Sequence, residues 1–103
     1  MNNQVIEITY FKPIDSVSQE TFGERNMRVG LEYAAKQPGF ISRETGLDSK
    51  GTWVIVVHWE SLAHAQASMQ KWGNEPSVDD FKVMIDPNSF RMDVFSSVSR
   101  LIT

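Results

Sequence analysis

The residues of this sequence that could do chemistry are scattered, and no group of them makes a catalytic motif by itself. His58 and His64 stand six positions apart across a predicted strand–helix junction, with no cysteine or third histidine to complete a metal-binding set. Without cysteine there is neither a disulfide framework nor a thiolate nucleophile. Thr21-Phe22-Gly23-Glu24 falls inside a predicted helix rather than on a phosphate-cradling loop. No Ser-His-Asp spacing stands out, so the catalytic residues stay unassigned. Glu7 and Glu44 on neighbouring predicted strands can approach across a sheet, but such cross-strand charges are commonly structural, with Arg43 or Arg91 available to neutralise Glu7.

The binding of a small molecule is better represented. On a helical projection of about 100° per residue, Phe22, Val29 and Tyr33 fall on one flank of an apolar arc, and Met27, Leu31 and Ala34 on the other. Between them lie Gly23, Asn26 and Gly30. A small or polar centre to a buried stripe has two readings. The glycines allow a bulky Trp or Phe to approach the helix backbone, or the stripe roofs a cavity in which Asn26 offers a hydrogen-bonding handle. Trp59, at the end of a predicted strand, is either an aromatic plug in the core or a flat wall for a ligand. Asn26, Tyr33, Trp59 and Trp72 are the expected substrate-binding side chains. His58 is expected on the opposite sheet face as a structural residue, and His64 in solvent.

The elements that position these residues follow from pattern. Gln4 to Lys12 is β-branched and aromatic, a strand closed by Pro13. Ser16 and Gln19 fit a capping box opening a helix that runs to about Lys36, before the stop at Gln37-Pro38-Gly39. Strands at Phe40 to Leu47 and Thr52 to Glu60 flank the turn Asp48-Ser49-Lys50-Gly51, hence an antiparallel hairpin. Ser61 caps a second helix ending near Trp72-Gly73, with Leu62, Ala65, Met69 and Trp72 along one side. A short helix from Ser77 carries Phe81, Met84 and Ile85, and an alternating strand runs from Phe90 to Val98.

The order β-α-β-β-α-(α)-β predicts one α+β domain over residues 1–103, a ferredoxin-like βαββαβ fold with a four-stranded antiparallel sheet and both helices on one face. The strands supply apolar side chains to both faces, so the helix-free face calls for cover, most simply a second copy of the chain. A homodimer through the sheet face is the expectation. The formal charge of -3 with scattered Lys and Arg offers no nucleic-acid surface. No apolar run reaches the roughly 20 residues of a membrane span. The first residues lack the basic and apolar regions of a signal peptide, which predicts a cytoplasmic protein.

Three segments together resemble the antibiotic biosynthesis monooxygenase (ABM) domain family: Gln37-Pro38-Gly39-Phe40-Ile41-Ser42, Val57-His58-Trp59-Glu60-Ser61-Leu62, and Asp79-Asp80-Phe81 through Ile85-Asp86-Pro87-Asn88-Ser89-Phe90-Arg91-Met92. The last is similar to an uncharacterised branch. The resemblance covers about two thirds of the chain in matching order, and it implies a dimeric α/β barrel. It also implies a cofactor-independent monooxygenase acting on a phenol- or quinol-type ring, or a relative without catalysis that binds or senses a small apolar ligand. Of the Asn, Trp and His that line the pocket in active members, Trp59 matches. Asn26 comes from a helix rather than the first strand, and Ala67 and Ser68 stand where the His is expected, which speaks against haem degradation.

Overall fold

The computed structural model describes residues 3–102. Four strands, β1 (Val5–Phe11), β2 (Phe40–Leu47), β3 (Trp53–Trp59) and β4 (Arg91–Ser96), form one antiparallel sheet in the order β2-β3-β1-β4. Helices α1 (Gln19–Glu32) and α2 (Leu62–Trp72) and the short α3 (Asp79–Lys82) complete the ferredoxin-like α+β fold. The hairpin turn between β2 and β3 is held by Asp48, whose carboxylate accepts from the amides of Lys50 (2.8 Å) and Thr52 (2.9 Å), while Gly51 takes φ +84°.

Alternation decides which side chains meet the helices. On β1, Val5, Glu7, Thr9 and Phe11 are buried, while Ile6, Ile8 and Tyr10 on the other face are half-buried. On β3, Ile55, Val57 and Trp59 are buried with them, and the register sets Val57 between Glu7 on one side and Arg43 on the other. The core is aromatic. Phe22 is fully buried, with ring centroids 5.5 Å from Phe11, 5.4 Å from Trp53 and 4.9 Å from Phe81.

Four boundaries differ from the sequence reading. Helix α1 is capped by Ser18 rather than Ser16, because the Ser18 hydroxyl accepts from the Thr21 amide at 3.1 Å. It ends at Glu32, and Ala34–Lys36 tighten into a 3₁₀ turn before Pro38. A 3₁₀ turn at Pro76–Val78 precedes α3, which therefore starts at Asp79 rather than Ser77. Strand β4 stops at Ser96, leaving Val98 exposed. The apolar arc of α1 is also narrower than its projection suggested. Phe22, Asn26, Val29 and Tyr33 are buried at a 4-3-4 spacing, whereas Met27 and Leu31 are 60% and 64% exposed. Leu62 of α2 is likewise exposed, and Ala65 and Ser68 point inward.

Candidate functional site

A cavity of about 290 Å³ lies between the sheet and the helices, at the lower limit of the roughly 300–1,000 Å³ of small-molecule sites. Its floor is the helix-facing row of β1 and β3, and its walls are Tyr33, Trp59, Trp72, Phe81 and Met69, with half-exposed Phe90 and Met92 at the rim. Tyr33, Trp59 and Trp72 thus come together around one space. Asn26 does not line it.

The glycine stripe accounts for that difference. A Cβ on Gly23 would lie 3.1 Å from the Trp53 ring, and one on Gly30 would lie 2.7 Å from Nη1 of Arg43. The middle of α1 is therefore pressed against side chains, and the cavity opens beside it, under Val29 and Tyr33. Asn26 serves Arg43 instead. Its Oδ1 accepts from Arg43 Nη2 at 2.6 Å and its carbonyl from Nη1 at 3.2 Å, which fixes the guanidinium at the cavity edge. Burial lowers the pKa of Arg43 to about 10, against the opposing pull of Glu7, so it stays charged at neutral pH.

Gly30→Ala tests this packing. Alanine ordinarily stabilises a helix by about 1 kcal/mol relative to glycine, but here the new methyl displaces a charged hydrogen bond worth roughly 1.5–3 kcal/mol. The expected outcome is a net loss of about 1 kcal/mol in denaturant unfolding. A gain would mean that the guanidinium moves aside freely.

Glu7 is the residue the sequence reading set aside. It is 8% exposed, lines the cavity, and has an unpaired Oε1 among the described residues. Burial raises its pKa, an effect opposed by the indole of Trp59 and the charge of Arg43. The indole lies near enough to act on the carboxyl, yet no well-formed hydrogen bond joins them, and Trp59 Nε1 is itself buried and unpaired. Glu44 cannot join Glu7 as a carboxylate pair. It pairs with Val56, so it projects from the other face. Arg91 also lies there, 4.7 Å over the ring of Tyr10.

The other polar groups are satisfied by the protein. The Tyr33 hydroxyl donates to the Ser68 carbonyl at 2.7 Å, tying the end of α1 to α2, so Tyr33 offers the cavity its ring rather than its oxygen. Burial raises the Tyr33 pKa and helps keep that hydroxyl protonated. His64 is half-buried rather than solvated, with Nδ1 2.8 Å from the Ser61 hydroxyl and its ring over Gly39, whose φ of +81° and lack of a Cβ leave room for it. His58 faces away from the cavity, 3.1 Å from the Ser42 hydroxyl. Burial and Arg100 push its pKa down. Among the described residues no three His, Cys, Asp or Glu side chains converge as a metal site, and no helix is long and apolar enough to cross a membrane.

No family model matches the sequence, and no curated protein matches it. Solved structures do. SnoaB, a cofactor-independent oxygenase from Streptomyces nogalater, aligns with a TM-score of 0.77 at 15% identity, over 96% of this chain and 97% of its own. The ActVA-Orf6 monooxygenase of Streptomyces coelicolor, solved with nanaomycin D, gives 0.72 at 14% identity, over 99% and 94%. A conserved protein from Methanosarcina mazei Go1 gives 0.66 at 11% identity, over 92% and 93%. The chain has the fold shared by antibiotic biosynthesis monooxygenase proteins. At these identities the likeness is one of fold.

Proposed function

We propose that the protein is a cofactor-independent monooxygenase whose helix–sheet cavity holds a flat phenol- or quinol-type molecule. The observation that carries this reading is the cavity itself, walled by aromatic rings and bearing a buried carboxylate and a half-buried guanidinium. The fold it shares with SnoaB and ActVA-Orf6 is in keeping with it.

The chemistry needs no metal. An electron-rich phenolate or enolate can transfer electrons to molecular oxygen directly, provided the site orients the ring and keeps water out. For an anthrone-type ring, the methylene becomes a carbonyl. One oxygen atom of O₂ enters the product and the other leaves as water with the two methylene hydrogens. The substrate supplies all four electrons. Glu7 is the cavity group able to take the ionising proton, and Arg43, held by Asn26, faces the negative charge that remains.

The test is oxygen uptake with an anthrone or a dihydroxynaphthalene. Wild-type protein is expected to raise uptake well above the protein-free rate, and Glu7→Gln to lower it at least 100-fold, as loss of a general base does. No acceleration by the wild-type protein would remove the catalytic reading and leave a dimer that binds or senses an apolar ligand.

The sheet face opposite the helices supports a homodimer. It presents Ile6, Ile8, Val54 and Val56, half-buried, beside Phe95 at 49% exposed. Light scattering should give twice the chain mass; a single-chain mass would remove the dimer.

A further inference from the structure

An engineered apolar cavity of about 150 Å³ holds one benzene ring. The space between sheet and helices, at about 290 Å³ and lined mostly by apolar side chains, is close to twice that. It has room for two fused rings and not for three.

Most of its boundary cannot give way. Phe11, Val57, Trp59 and Phe81 are each at most 4% exposed, and close-packed interiors resist the displacement of such groups. Arg43 is held by Asn26, and Tyr33 by the Ser68 carbonyl. Met69 and Met92 are half-buried and unbranched, so they adapt to a ligand without setting its size. Trp72 differs from all of these. It is the largest half-buried side chain of the lining, carried on the last residue of α2. The backbone beneath it is fixed, because Lys82 Nζ donates to its carbonyl at 2.9 Å and the Tyr33 hydroxyl ties Ser68, one turn earlier, to α1. Its ring makes edge-on contacts, with centroids 5.6 Å from Tyr33 and 6.5 Å from Phe81. The indole of Trp53 is anchored by a 2.7 Å bond from Nε1 to Gln19, whereas that of Trp72 has no such bond among the described residues.

We propose that Trp72 is the specificity-determining wall of the cavity, limiting the ligand to two fused rings. This rests on the cavity being the ligand site, and it narrows the substrate class by size: of the two ring types named above, the dihydroxynaphthalene is the one accepted. A third ring has to displace the indole or stand out in water past Phe90 and Met92. In neither position does it bring the apolar burial that a larger ring otherwise adds. In a site without this limit, the added apolar area favours the larger ring, so the direction of the preference separates the two cases.

The experiment is equilibrium dialysis of 1-naphthol and of its three-ring counterpart 1-anthrol, each followed by its own absorbance. Wild-type protein is expected to bind the naphthol at least fivefold more tightly than the anthrol. Trp72→Ala removes a two-ring side chain from a fixed backbone and should reverse the order, binding the anthrol more tightly. Trp72→Leu should shift the ratio in the same direction by at least threefold. Trp53→Phe, a change to a tryptophan outside the cavity, should keep the wild-type ratio within twofold, with the fold of each variant verified by circular dichroism. A wild-type preference below fivefold, or one for the anthrol, would overturn the size limit while leaving the cavity as the ligand site. So would an unchanged ratio in both Trp72 variants, Trp72 variants that bind neither probe, or a Trp53→Phe variant that relaxes the preference as far as they do. Binding of neither probe to the wild type would overturn the size limit and the ligand site together.

Discussion

Replacing Arg43 with methionine is expected to destabilise the protein by about 3 kcal/mol at pH 8 and by about 2 kcal/mol at pH 5, from charged hydrogen bonds worth roughly 1.5–3 kcal/mol and the penalty on a stranded buried charge. The aliphatic part of the side chain is preserved, so the loss falls on two groups. Asn26 Oδ1, buried on the inner face of α1, loses its 2.6 Å donor. Glu7 loses the cation that opposes the effect of burial on its ionisation. The pH dependence follows from the second of these. Burial already raises Glu7 above its ordinary carboxyl range, and without Arg43 it rises further. A carboxyl with a raised folded pKa binds its proton more tightly folded than unfolded. Its contribution is fully present below the unfolded value, near 4.5, and is lost as pH climbs through the folded value. The variant should therefore fall further behind the wild type as pH rises from 5 to 8. Urea unfolding at the two pH values measures it, and an equal difference at both would show that Arg43 does not act on Glu7.

The larger loss of stability belongs to Phe22→Ala, at about 3–5 kcal/mol. Phe22 is fully buried and touches the rings of Phe11, Trp53 and Phe81, so it joins α1, both central strands and α3 in one contact group. A small domain holds only about 5–15 kcal/mol in total, and the variant should unfold at far lower denaturant. Met27→Ala on the same helix is the control. At 60% exposure it should change stability by no more than about 0.5 kcal/mol. Comparable losses at the two positions would mean that the inner face of α1 has been assigned wrongly.

These two residues also mark what was legible in the sequence. The strands, their hairpin and the element order follow from two-residue alternation and turn chemistry, which are local. On β3 the two rows were plain, Trp53, Ile55, Val57 and Trp59 against Val54, Val56 and His58, but both are largely apolar, so alternation alone did not say which meets the helices. For α1 the projection gave an arc but not its centre. Met27 and Leu31 are as apolar as Val29, and only the sheet beneath decides which of them it covers. Gly23, Asn26 and Gly30 did signal something unusual. The cause is the bulk of Trp53 and Arg43 pressing on the helix, a contact between elements distant in sequence.

Glu7 was visible, and was weighed only as a cross-strand charge with Arg43 or Arg91 as its partner. It stands on the same β1 face as Val5, Thr9 and Phe11, and the hairpin register places Arg43 two strands away in the same row. A carboxylate on a wholly covered face is expensive unless something answers it. That rule would have singled it out once the faces were assigned. Arg43 and Arg91 could be told apart only by register, which sends Arg91 to the opposite face. Trp59 and Tyr33 could be proposed as pocket walls from type and position. That Tyr33 spends its hydroxyl on Ser68 depends on how α2 packs, and no pattern within α1 carries that information.

The central claim is that the space under Val29 and Tyr33 is where a ligand sits, and filling it is the most direct test. Ser68 lines that space from α2 and is buried, so Ser68→Phe projects a ring into it while keeping Glu7, Arg43 and Trp59 as they are in the sequence. The measurement is titration of wild-type protein and this variant with 1-naphthol, read in the tryptophan fluorescence of Trp59 and Trp72. We expect saturable binding to the wild type and at least a 30-fold weaker affinity in a variant whose circular dichroism and unfolding midpoint are preserved. Equal affinity in the filled variant would contradict the account, since the ligand would then be binding elsewhere.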